Sequence, residues 1–124
     1  MRILLIEPEQ PAVEKEIDGS LPSMQEVVDG IIQAVFPFAD PVALICNDEG
    51  KLLGLQPNRA LCNENTGSVY DVVVGTFFIC GAPADAENFT SLTDEQIKKY
   101  KEKFAKSELF LNMGGRLLVI PCDN

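Results

Sequence analysis

The chain has 124 residues, 46% hydrophobic and 23% charged, one domain's worth of ordinary globular sequence that can bury roughly two thirds of its unfolded surface. That mix excludes a disordered, charge-rich chain and makes a second independent core unexpected. Nineteen acids against 10 bases give a formal charge of -9, which repels a phosphate backbone and argues against direct nucleic-acid binding, but suits plain solubility or docking on a basic protein surface.

Residues 2–7 read as a strand, residues 8–12 as a proline-marked turn, and residues 13–17 as a second strand alternating apolar with charged, so an N-terminal β-hairpin is expected. Ser23 with Glu26 has the capping-box spacing of a helix start. Met24, Val27, Val28, Ile31, Ile32 and Val35 then repeat at helical intervals, which predicts one helix running to the Phe36-Pro37-Phe38 break, with Gly30 weakening it. Residues 42–46 are almost uniformly apolar, as in a central strand covered on both faces. After a loop at Asp48-Glu49-Gly50, residues 51–55 are expected to return antiparallel and residues 56–68 to form an irregular excursion. One long strand follows over residues 69–80, with Gly75 as a bulge or a close backbone approach. Residues 81–91 read as a loop. A second helix opens with Thr93 as cap, Gln96 completing the box and Leu92 with Ile97 as a hydrophobic staple; Ile97, Tyr100 and Phe104 form its buried stripe. Asn112 to Gly115 breaks the chain again, leaving residues 116–122 as a final strand or an apolar tail.

A hairpin, a helix and further strands is the element order of the β-grasp folds. The expected architecture is therefore α+β: a β-grasp-like mixed sheet with an N-terminal β-hairpin, one packed helix, a second C-terminal helix and a C-terminal extension. Residues 1–106 form the single domain, and residues 107–124 the extension, packing on the domain or on a partner.

No window approaches the 18 apolar residues of a membrane-spanning helix, and the short N-terminal apolar run ends at Glu7 without a cleavage-site pattern. Cys46, Cys62, Cys80 and Cys122 lack CxxC spacing, so neither a metal clip nor any other cofactor is expected. These features point to a reducing cytoplasm, with Cys46 and Cys80 acting as small buried hydrophobes.

The chain contains no histidine, which removes the commonest general base and rules out histidine-dependent triads. No glycine-rich phosphate loop is present. Arg59 follows Pro57-Asn58, where a guanidinium could grip a phosphate or carboxylate; the plainer account is an ion pair with one of the 19 acids. Tyr70 could stack on a base and Asp71 accept a ribose hydroxyl, against the plainer role of capping a sheet edge. Thr76, beside Gly75, could face the same ligand or simply fill a strand. Lys98, Lys99, Lys101, Lys103 and Lys106 concentrate positive charge, but Asp94, Glu95 and Glu102 stand four residues ahead of Lys98, Lys99 and Lys106, the spacing of a solvated helix face. The apolar runs at residues 109–111 and 117–120 fit a homo-oligomer contact and a flap over the sheet about equally.

The run Phe36-Pro-Phe-Ala-Asp-Pro-Val-Ala-Leu-Ile-Cys-Asn-Asp-Glu-Gly-Lys-Leu-Leu-Gly-Leu55, with Asn58-Arg-Ala-Leu61, Tyr70-Asp71, Gly75-Thr-Phe-Phe-Ile79 and Asn88-Phe-Thr-Ser-Leu92, resembles a family of small bacterial and phage proteins known only as a numbered domain of unknown function. The resemblance spans residues 1–106 and transfers no catalytic residue. Members look like accessory genes of phages, plasmids and conjugative elements. It implies a non-enzymatic binding protein in a host bacterial cytoplasm, engaged in counter-defence by sequestering a signalling nucleotide or blocking a host protein. A nucleotide would sit among Asn58, Arg59, Tyr70 and Thr76. Two other readings stand beside this one: a small nucleotide-processing enzyme using Asp71 or a cysteine near Arg59, and an oligomeric structural module built through the C-terminal extension.

Overall fold

The computed structural model describes residues 1–122, so the last two residues of the expected extension lie outside the described residues. The described chain is α+β, and it opens with the expected hairpin, β1 (Arg2–Ile6) and β2 (Val13–Glu16). Next come α1 (Leu21–Val28), β3 (Ile32–Val35), β4 (Val42–Asn47), the single turn α2 (Gly50–Leu53), β5 (Pro57–Cys62), β6 (Val69–Val74) and β7 (Phe77–Gly81). The chain ends in α3 (Asp94–Lys103), β8 (Glu108–Met113) and β9 (Arg116–Pro121).

Five strands form the main sheet in the order β2-β1-β7-β4-β3, and every neighbouring pair is antiparallel. The expected mixed, β-grasp-like sheet is not what forms: β1 does pair with a late strand, but in the antiparallel sense. Leu4, Ile79, Leu44 and Val35 stand opposite one another in a row across four strands, and the neighbouring row is Leu5, Phe78, Ile45 and Ala34. Because side chains alternate along a strand, these rows point to opposite faces. One face packs on Met24 and Val28 of α1; the other packs on Ile97, Tyr100 and Phe104, at α3 and its C-cap, and on Leu61 and Val73 of a separate β5–β6 ribbon. Covered on both faces, β4 and β7 carry continuous apolar sequence, as residues 42–46 suggested.

The first helix is shorter than its periodicity implies. Ser20, not Ser23, is the cap, its Oγ accepting from the Ser23 N–H at 3.2 Å. Asp29 ends the helix in the left-handed region, φ 57°, and the next residue is Gly30, where a Cβ would lie 2.6 Å from Asn47 Nδ2. That buried carboxamide donates to the carbonyls of Val28 and Asp29, closing the helix end onto β4. Residues 32–35, expected as the helix's last turn, are therefore a strand.

Three further expectations change. Residues 50–53 turn helically and end at Gly54 with φ 68°, in place of an antiparallel return. Residues 57–62 are strand β5 instead of an irregular excursion. The single strand over residues 69–80 is two strands in different sheets, divided at Gly75, whose φ of 74° turns the chain and whose N–H donates to Gln56 O. By contrast, α3 has its full capping box at Thr93 and Gln96, and Leu92 and Ile97 are both buried.

Candidate functional site

Asn58 and Arg59, the first choices for a ligand, are both buried. The Asn58 carboxamide donates to Ile6 O at 2.9 Å and Gly75 O at 2.8 Å, joining β5 to the main sheet and to the Gly75 corner. Arg59 Nη2 donates to Gln10 O at 2.6 Å and Phe104 O at 3.1 Å, and Nη1 to Asn58 Oδ1 at 2.9 Å. The guanidinium thus ties the β1–β2 turn, the end of α3 and β5 together through carbonyl oxygens. No ion pair with a carboxylate is found for it among the described residues, although Glu108 is near enough to favour its charge; burial is the larger influence and pulls its pKa down. Its Nε has no partner among the described residues.

Tyr70 and Thr76 are not gathered around this pair. Tyr70 is exposed and lines a small depression of about 150 Å³ with Phe38, Lys103 and Glu108. Thr76 lines a separate polar hollow of about 440 Å³ with Lys15, Asp18, Ser23 and Glu26, between the N-terminal hairpin and α1. The four residues do not share one cavity.

A third cleft, about 250 Å³, separates the β5–β6 ribbon from β3 and β4. Its polar residues include Cys46, Asp48, Lys51 and Asp71, and Lys51 Nζ reaches Asp71 Oδ1 at 2.5 Å. Burial first, then the carboxylates of Asp71 and Asp48, push the Cys46 thiol up, so it is held as a thiol and is a poor nucleophile. Two members of the expected i, i+4 pairs meet other partners: Lys99 reaches Asp40 at 2.6 Å, and Asp94 pairs with Arg2.

The surface most suited to a macromolecule was hidden in the sequence by the over-long helix. β3 ends the main sheet, so its outer edge is unpaired there, and its residues Ile32 to Val35 carry no charge. Edge strands are normally protected by charges or proline, as β2 is by Glu14, Lys15 and Glu16. Beside β3 runs an open groove of about 520 Å³, lined chiefly by Leu21, Met24, Ile32, Phe36, Pro83 and Phe89, with Glu87 also at its wall. Phe36 is 64% exposed. The signal that could have revealed this edge was Asp29-Gly30, a turn dipeptide inside the helical pattern.

The model of the family described as "Domain of unknown function (DUF3846)" matches residues 1–105. The chain belongs to this family. No curated protein and no solved structure matches it. The DUF3846 match takes in both helix-covered faces, the cleft, the β3 edge and the groove; it stops before β8, so the C-terminal hairpin lies beyond it. Among the described residues, no group of histidine, cysteine or carboxylate side chains is arranged to hold a metal ion, and no helix is long and apolar enough to cross a membrane.

Proposed function

We propose that this chain is a non-enzymatic binding protein of a phage or mobile element. It acts in the host cytoplasm in counter-defence and blocks a host protein by accepting an extended segment of it along β3. The uncharged open edge of β3 beside an apolar groove carries this reading. An added strand gains main-chain hydrogen bonds from the edge, while alternate side chains enter the groove. The bound segment then has apolar residues at every second position, flanked by Lys or Arg, because the chain carries a charge of -9 and Glu87 stands at the groove. Sequestration of a nucleotide is the weaker version, since four donor contacts of Arg59 are spent on Gln10, Phe104 and Asn58.

The test is a panel of extended peptides alternating Val or Phe with polar residues and bearing Lys at both ends, measured by fluorescence anisotropy, beside a nucleotide thermal-shift panel. Binding should weaken as salt rises and fall about tenfold or more in Phe36→Asp, the loss of one interface anchor. A thermal response to a nucleotide, with no peptide bound, overturns the reading. Native mass spectrometry of protein purified from its host then identifies the partner.

A further inference from the structure

We infer that the C-terminal hairpin is a self-association surface, and that its occupant is the same hairpin of a second copy related by a two-fold axis. β8 and β9 form a two-stranded sheet of their own, joined by Gly114 and Gly115, both at positive φ as a tight hairpin turn requires. The cross-strand pairs divide its side chains between two faces. Glu108, Phe110, Leu117 and Val119 belong to one; the Glu108 carboxylate accepts from the Ala60 N–H at 2.7 Å, which turns the base of that face toward β5, while Leu117, close to the turn, is 49% exposed. The other presents Leu109 with Ile120, Leu111 with Leu118, and Met113 with Arg116. Its five apolar side chains are between 37% and 59% exposed, and it bears no acidic residue.

Two arguments select a second copy. A pair of two-stranded ribbons packed face to face makes the second layer that a lone ribbon lacks, since an isolated hairpin is marginal in water. Five partly exposed apolar side chains per copy give two paired faces less buried area than the roughly 1,200 Å² at which standard specific interfaces begin, which makes the contact a weak and reversible one. Charge gives the second argument. Two copies at -9 repel through their bodies, but residues 107–122 carry only Glu108 and Arg116 and sum to zero, so the hairpin is where two such acidic molecules can meet. A strongly basic or acidic partner has no complementary charge to meet on this face.

In the two-fold arrangement the central pair, Leu111 and Leu118, lies near the axis and faces its own counterparts. Light scattering after size exclusion should therefore give twice 13.6 kDa at about 100 μM protein, with the dimer dissociating on dilution as a small interface does. Leu118→Glu brings two carboxylates together and should weaken the dimer at least about 100-fold. Leu118→Lys should do the same, while an equimolar mixture of the two variants should recover the dimer as a heterodimer. Circular dichroism of both variants should match that of the parent. A monomeric parent, a dimer indifferent to Leu118→Glu, or folded variants that fail to pair when mixed would each overturn the inference, including the case of a hairpin that binds only another protein. Peptide binding at β3 is measured on the Leu118→Glu monomer, which separates failure of this surface from failure of the groove.

Discussion

Replacing Arg59 with alanine should cost this protein about 3–5 kcal/mol of stability. Arg59 is 1% exposed and donates to Gln10 O, Phe104 O and both oxygens of Asn58, so its removal takes a donor from each of these acceptors, although the exposed Gln10 can turn to water and Phe104 O keeps the Ala12 N–H. Each orphaned acceptor costs about 1 kcal/mol, and the cavity left by a long side chain adds roughly 2–3 kcal/mol. Release of a buried charge returns part of that sum, which keeps the total below the simple addition. For a chain of this size the thermal midpoint should fall by roughly 15 °C. Arg59→Lys keeps the charge but cannot reach Gln10, Phe104 and Asn58 at once, and should lose about half as much. The assay is thermal and urea denaturation followed by circular dichroism. A midpoint for Arg59→Ala within about 2 °C of the parent would refute the structural role, as would an unchanged fold with selective loss of anion binding.

Other substitutions test the remaining joints. Gly75→Ala should cost about 2 kcal/mol or more, because the left-handed backbone strains an alanine and its Cβ would lie 2.7 Å from Leu55 Cδ1; urea titration reads the loss. Thr93→Ala removes the cap of α3 and should cost about 1 kcal/mol in the same titration. The Lys99 ammonium, then the Tyr100 hydroxyl, hold the Asp40 carboxyl below its ordinary value. Its contribution is therefore present above the ordinary carboxylate pKa of about 4 and is lost as pH falls below it, so Asp40→Asn should flatten the acid limb of a stability-against-pH curve. Alkylation at about pH 8 followed by mass spectrometry should label exposed Cys62 first. Cys80, buried with its thiol pushed up to about 12, should react only on unfolding.

Local signals carried the hairpin, the capped third helix and the apolar strands, because each depends on neighbours in sequence. Thr93 and Gln96 specify a helix start wherever they stand, and an unbroken run such as Val42 to Cys46 has to be covered on both sides. The helix expected over residues 23–35 failed for a non-local reason. Ile31, Ile32 and Val35 satisfy helical spacing, yet Asn47, 18 residues past Asp29 and 19 past Val28, supplies the carboxamide that stops the helix and places residues 32–35 beside β4. With that strand goes the open edge and its groove, which no inspection of residues 29–36 as a helix would show.

The candidate residues divide in the same way. Sequence alone determined an α+β chain with no histidine and a charge of -9, and it singled out Asn58 and Arg59 as unusual. Only the tertiary structure decided what that meant. A polar side chain binds a ligand if it faces solvent and braces the fold if it faces carbonyls, and the carbonyls belong to Ile6, Gln10, Gly75 and Phe104, up to 52 residues away. Long-range burial decides the roles of such groups, and no local pattern encodes it.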